Sequence, residues 1–382
     1  MKILAVGSAV LPDPNKQSQV DHWRIMRPMR ELAKHTDWEI EHSPTFIVGF
    51  EEHADKEEFT SEELEKAFER LSQYDIIFSS YHPDPAAWTL LQVLEQRVGT
   101  QFVMDVDDDM FGINPDNPFW LKMTDEKVYW MQRMIANNHW MTTPSEVLAQ
   151  RFRDRRPDKE ADTVRVIPNY IADVYQHPKF DNGKKIVVGY MGGASHYADL
   201  HESGVLEAMQ KLMYYNKNVQ FKCIGQLVDT YLPPGRYTRE NGKRGTMFFD
   251  EVFPNMDIDI AIAPLLDNIF NLGKSNIKWQ EMTRAGSAVI ASNVGPYQAL
   301  AHGKNALLVE NNTESWLSAL KTLVDNPKLR ANLVDNARTD VSLNWKLENN
   351  WQQYKEFFET VKREGDRAKN RTKSKLPANK AK

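Results

Sequence analysis

The chain has 382 residues, 41% hydrophobic and 26% charged, with 48 Lys+Arg, 53 Asp+Glu and one cysteine. That is too long for one ordinary core and fits two domains, and it is too apolar for a disordered chain. The lone Cys223 excludes an intramolecular disulfide and a cysteine-based zinc site, and it fits a reducing, cytoplasmic setting. No apolar run approaches the ~18 residues of a membrane-spanning helix, and residues 1–7 read as a first strand rather than a signal peptide. The formal net charge of −5 is uneven: residues 361–382 hold nine basic and two acidic side chains, which leaves −12 on residues 1–360. An acidic body with a mobile basic tail is expected.

Lys2–Val6 is a buried-strand pattern ending in Gly7. Residues 22–34 have helical spacing, with Ile25, Met29 and Leu32 on one side. Next come a strand at 38–40, a helix in the charged stretch 51–72, a strand at 75–79, a helix at 86–96 and a strand at 101–105. A helix at 128–136 and a strand at 140–142 precede Pro144-Ser145-Glu146, a helix-start signal. Residues 164–167 then run into Pro168-Asn169-Tyr170.

A second series starts with a strand at 185–190 that breaks into Gly192-Gly193. A helix at 204–215 and a strand at 219–224 follow, then a loop at 228–246 and strands at 246–249 and 258–263. A helix at 273–284, strands at 288–292 and 307–309, and helices at 314–324 and 328–338 close it. Strands alternating with helices predict α/β architecture, with parallel sheets covered on both faces. The expected domains are two doubly wound units, residues 1–178 and 179–344, joined at 172–184. Residues 345–361 form an aromatic amphipathic helix that must bury its face, and 362–382 form the tail.

The most informative segment follows a strand end, where open parallel sheets bind ligands. With a helix starting near Gly273, Lys274, Lys278 and Glu281 share one face. Two ammonium groups beside free helix amides suit a diphosphate, and a carboxylate one turn on suits ribose hydroxyls. The same spacing also fits a solvated helix face. Gly192 and Gly193 permit close approach of backbone to phosphate, but the G-x-G-x-x-G spacing is missing and no acidic residue ends the second strand, which argues against a dehydrogenase. His196 and Asp199 follow, either as donor contacts or as a satisfied loop pair. Four carboxylates crowd Asp105-Val106-Asp107-Asp108-Asp109. They fit a metal-holding Asp-x-Asp, a cleft-lining acid or base, or a solvated turn capped by Asp109.

The segment Glu281 to Ser292 (EMTRAGSAVIAS), then Gly295-Pro296 and Gly303-Lys304-Asn305-Ala306-Leu307-Leu308-Val309, resembles the donor region of GT-B glycosyltransferases, especially the family 4 (group 1) class. Trp23, Arg24, Pro28 and Leu32 resemble that class's first-helix pattern, and Thr143-Pro144-Ser145-Glu146 and Val166 to Ile171 its end of the first domain. The resemblance spans roughly residues 1–345. It implies a GT-B fold with a C-terminal helix crossing back to the first domain, and transfer from a nucleotide sugar, UDP- or GDP-linked, with retention and without a divalent metal or other cofactor. It implies Glu281 on the ribose, and Lys274, Ser275 and Lys278 on the diphosphate with amides near Gly192, Gly193 and Gly273. His196 lies on the donor side, Asp107 and Asp108 are candidate catalytic carboxylates, and Ser8, Arg24, His82 and Asp105 lie on the acceptor side. The class usually carries a second glutamate eight positions before Glu281, where this chain has Gly273.

Two acceptors fit: a glycan, or hydroxymethylated pyrimidine in DNA as in bacteriophage enzymes, with host cytoplasm as the setting. The basic tail would contact a polyanionic acceptor or a membrane surface. A catalytically degenerate glycan-binding or assembly protein and a sugar-nucleotide epimerase are the rival readings.

Overall fold

The structure is a computed structural model that describes residues 1–7, 18–44, 60–80, 85–156, 163–171, 185–225, 231–240 and 256–375. Short runs of Ile, Val, Leu, Phe and Met bury both faces of each central strand, the pattern of parallel sheets sandwiched by helices. The first sheet contains β1 (Lys2–Val6), β2 (Glu39–Ser43), β3 (Ile76–Ser80), β4 (Gln101–Asp105), β5 (Trp140–Thr143) and β6 (Val164–Val166), all parallel, in the order β2-β1-β3-β4-β5-β6. Its helices are α1 (Gln19–Asp21), continued by a π-helical turn His22–Met26 into α2 (Arg27–His35), then α3 (Ser61–Leu71), α4 (Pro85–Arg97), α5 (Asp125–Asn137) and α6 (Glu146–Asp154). Ser145 caps α6 by accepting from the Leu148 amide at 3.2 Å, as its position before Glu146 predicts.

The second sheet contains β7 (Ile186–Met191), β8 (Val219–Ile224), β9 (Tyr237–Glu240), β10 (Ile260–Ala263), β11 (Ala288–Ser292) and β12 (Leu307–Val309), in the parallel order β12-β11-β10-β7-β8-β9. Around it lie α7 (Tyr197–Glu202), α8 (Val205–Tyr215), α9 (Ile269–Leu272), α10 (Ile277–Arg284), α11 (Thr313–Asp325) and α12 (Pro327–Asp340). In each sheet the first strand has neighbours that come from opposite winding directions, so the strand order reverses between β1 and β3 and between β7 and β10. Crevices for ligands open at the carboxyl ends of strands at such points.

After α12 the chain returns to the first sheet. The Leu347 amide donates to the Ile171 carbonyl at 2.9 Å, and α13 (Trp351–Lys375) lays Tyr354, Phe357, Phe358 and Val361 on Ile3, Phe78 and Trp140. This is the expected crossover, but the helix does not stop at 361. Gly365 is buried against Gln101, where an added Cβ would come within 2.8 Å of it, and Lys362 bridges Asp75 at 2.9 Å and Asp366 at 2.8 Å. Residues 362–375 continue this helix, where a tail was expected: adding residues to a nucleated helix costs little, and Lys362 and Gly365 find polar groups to pack against.

Two other expectations change. The loop at 228–246 contains β9, an edge strand whose side chains are mostly exposed and which therefore lacks a hydrophobic alternation. The helix expected over 273–284 starts only at Ile277, as α10, and Gly273 instead caps the end of the short α9 that precedes it. The strand expected at 246–249 and the junction at 172–184 lie outside the described residues.

Candidate functional site

A cleft of about 800 Å³ lies between the carboxyl edges of the two sheets. Met191 to His196 and Leu265 reach it from the ends of β7 and β10, and Asp107 and Asp108 reach it from beyond β4.

On the first-domain wall, Arg24 sits in the π-helical turn and is 1% exposed. Its Nε and Nη2 donate to the two Asp105 oxygens at 3.0 and 2.6 Å, and its Nη1 donates to the Ile167 carbonyl at 2.5 Å and to Asn169 Oδ1 at 3.0 Å. Asp105 also accepts from Thr142 at 2.5 Å and is itself 1% exposed. Burial alone would depress the guanidinium pKa, but Asp105 raises it well above its ordinary value. These two residues, expected on the acceptor side, form a buried brace in the first-domain wall, and Arg24 lines the cleft. The acidic run is divided by its partners. Asp109 accepts from Arg151 at 2.7 Å, and Asp108 meets Lys274 of the second domain at 3.0 Å. Asp107 faces the cleft, and burial together with Asp108 pushes its carboxyl up to about 6. Three of the four carboxylates are thus matched by the chain's own cations. Ser8 and His82 lie outside the described residues.

On the second-domain wall, Gly192 is required by packing: a Cβ there would come within 2.3 Å of the buried Tyr190 hydroxyl. Gly193 is different, because a Cβ would meet nothing within 4 Å and the residue lines the cleft. His196 Nδ1 lies 2.7 Å from Asp199 Oδ2, and Asp199 Oδ1 accepts from the Leu266 amide at 2.8 Å and from Asn271 Nδ2 at 2.7 Å. Burial, then Lys278 and Lys274, lower the His196 pKa to about 4 against the pull of Asp199.

Lys274 and Lys278 both line the cleft, though Lys274 belongs to the segment before α10 and not to one continuous helix face. Lys274 also lies 4.3 Å from the Phe270 ring centroid. Lys278 is 8% exposed, its Nζ has no hydrogen-bond partner among the described residues, and it stands 5.2 Å over the Tyr190 ring. Burial lowers its pKa to about 8, opposed by Asp199 and Glu281. Glu281 is 7% exposed and borders the same space, and burial raises its carboxyl to about 8 against Lys278 and Arg284.

Gly273 does not line the cleft. Its carbonyl accepts from Ser145 at 2.6 Å, and a Cβ on it would point at Asp109, Leu148 and Arg151 of the first domain, each 3.6 Å away. Ser275 does line the cleft, accepting there from Asn169 Nδ2 at 2.7 Å. Asn169 ties the walls together, since its carbonyl also accepts from Gln280 at 2.9 Å. Its place at the end of the first series signals only a turn. Phe119, Lys122 and Tyr297, also on the cleft, carry no motif at all.

No protein-family model and no curated protein sequence matches the chain. Solved structures do. Sucrose-phosphate synthase from Thermosynechococcus elongatus superposes with a TM-score of 0.63 at 14% identity, over 94% of this chain and 99% of that one. A glycosyltransferase from Rickettsia africae gives 0.61 at 13% identity, over 94% and 98%. HepE of Anabaena, solved in complex with UDP and glucose, gives 0.59 at 12% identity, over 94% and 100%. Two parallel Rossmann-like sheets facing one cleft, with a returning C-terminal helix, give this chain the GT-B fold of these glycosyltransferases.

Proposed function

We propose that the protein is a glycosyltransferase that moves a sugar from a nucleotide-sugar donor to an acceptor hydroxyl. The observation that carries this reading is Lys278, a buried ammonium without a hydrogen-bond partner among the described residues, lining a crevice at the strand-order reversal of the second sheet. A buried cation of this kind is costly unless an anion completes it. A diphosphate does so, with Lys274 and Ser275 beside it and the open backbone at Gly193 admitting close approach. Glu281 then accepts the ribose hydroxyls, and Asp107 accepts from or orients the acceptor hydroxyl. In the reaction the bond from the anomeric carbon to the donor phosphate oxygen breaks as the acceptor oxygen bonds to that carbon, and the acceptor's proton passes to Asp107 or to the departing phosphate oxygen. Negative charge grows on the leaving diphosphate, where fixed lysines stabilise it most. Retention of configuration, and a mechanism without a divalent metal, follow the resemblance of the 281–292 segment to retaining enzymes.

The missing second glutamate does not favour a catalytically degenerate protein. Position 273 is not part of the cleft lining and a Cβ there meets Asp109, Leu148 and Arg151 of the first domain, so its glycine is no sign of a lost sugar contact. A glycan is the better acceptor. Asp107, the carboxylate of the first-domain wall without a cation of its own among the described residues, repels a DNA backbone, and the half-exposed Phe119 offers a ring for stacking.

The test is calorimetric titration with UDP, GDP, ADP and dTDP and their glucose conjugates, followed by transfer assays with oligosaccharide acceptors. At least one nucleotide should bind and its sugar be transferred. Failure of all of them to bind would sink the reading, and conversion of the donor without an acceptor would point to an epimerase.

A further inference from the structure

His196 is, like Asp107, Lys278 and Glu281, a group at this site whose chemistry is set by burial. It follows Gly193 into the cleft, and its Nδ1 is covered by Asp199 at 2.7 Å. Asp199 is 2% exposed and fixed at its other oxygen by the Leu266 amide and Asn271 Nδ2. The imidazole is thereby tied through Asp199 to the segment after β10 and to α9. A carboxylate beside Nδ1 selects the tautomer with the proton on Nδ1, which leaves the lone pair on Nε2 of a residue that lines the cleft. Its neighbours Lys274 and Lys278 are cations, and together with burial they keep the ring neutral.

A neutral Nε2 lone pair is a poor partner for phosphate, which also only accepts hydrogen bonds. It is a good partner for a hydroxyl. The lysines and amides of this wall supply donors in excess, so an acceptor held among them selects a group that donates. The usual position for a sugar-contacting carboxylate cannot serve, because Gly273 faces the other domain.

We propose that the Asp199–His196 pair reads the sugar of the donor: Asp199 positions the imidazole, and His196 Nε2 accepts a hydrogen bond from a sugar hydroxyl. This rests on the donor-site reading above and assigns the pair to the sugar rather than to the phosphates.

The experiment compares the wild type with His196→Ala, His196→Gln and Asp199→Asn by calorimetry. The probes are UDP, GDP, ADP and dTDP, their glucose conjugates, and conjugates deoxygenated at one glucose hydroxyl at a time. In His196→Ala the nucleoside diphosphate should bind within ~twofold of wild type while the conjugate weakens ~tenfold, the worth of one such hydrogen bond. His196→Gln, which retains an acceptor, should recover part of that loss. Asp199→Asn turns a donor toward Nδ1 and moves the ring proton to Nε2, so it should reproduce the loss with the histidine still present. One deoxy conjugate should weaken on wild type but not weaken further on His196→Ala, a pattern that a merely structural role would not give. Equal weakening of diphosphate and conjugate, or of neither, would overturn the assignment while leaving the donor site intact. Failure of every probe on wild type would overturn the donor site itself, and this inference with it. Should Asp199→Asn not fold, the two His196 variants decide.

Discussion

Replacing Lys278 by methionine separates stability from function. Methionine keeps an unbranched apolar side chain over Tyr190 and removes the ammonium. In the free protein, burial lowers the lysine pKa from 10.5 to about 8. That fall corresponds to about 3 kcal/mol of cost borne by the folded state near neutral pH. Loss of the ammonium's contact with the Tyr190 ring gives back about 1 kcal/mol. Lys278→Met should therefore stabilise the free protein by about 2 kcal/mol, a Tm rise of about 4–8 °C if the second domain melts as one unit. The sign has a pH signature. Because the folded pKa is depressed, the unfolded chain binds more protons between about 8 and 10.5, so wild-type stability rises with pH across that window. The gap between wild type and variant should be full below pH 8 and close above it. Differential scanning calorimetry with and without the nucleotide that binds wild type measures both effects. At about a hundredfold excess over Kd, that nucleotide stabilises wild type by about 2.7 kcal/mol, and the variant should lose most of the gain. A variant less stable than wild type at pH 7, or one that binds the nucleotide as tightly, refutes the reasoning.

The two glycines at the end of β7 should behave oppositely. Gly192→Ala drives a methyl into the Tyr190 hydroxyl and should cost about 1–3 kcal/mol of stability in denaturant titration. Gly193→Ala meets no protein atom and should leave stability unchanged or slightly raised while weakening nucleotide binding by calorimetry, because its methyl stands where a phosphate approaches. Glu281 carries the reverse pH sign to Lys278. Its folded pKa is raised from 4.5 to about 8, so the folded chain holds the extra proton and stability falls as pH rises through that range. Glu281→Gln should flatten the fall in urea midpoint between about pH 5 and 8 and weaken nucleotide binding. An unchanged slope would mean that Glu281 is not buried as a titrating group.

The resemblance in the segment from Glu281 to Val309 and the alternation of strands with helices were enough to anticipate two doubly wound domains and a returning helix. Those features are local: strand runs, caps such as Ser145, and the aromatic spacing of Tyr354, Phe357, Phe358 and Val361 are written in neighbouring residues. The reach of α13 past 361 was not, because Gly365 and Lys362 draw their partners, Gln101 and Asp75, from the other end of the chain.

The opening charge count shows the same division. Composition alone established an acidic body, a basic terminus and the absence of any long apolar run. It also put Lys274, Lys278 and Glu281 beside a strand end, since spacing along one segment is a property of sequence. Only the tertiary structure decided what each charge does. Asp105 is consumed by Arg24, 81 positions earlier, Asp108 by Lys274 across the domains, and Asp109 by Arg151, while Lys278 is left buried with no hydrogen-bond partner among the described residues. Gly273, which alignment by motif places at the sugar, turns its Cα toward the first domain. Pairing between charges distant in the chain depends on how the two sheets face one another, and neither composition nor local pattern encodes that distance.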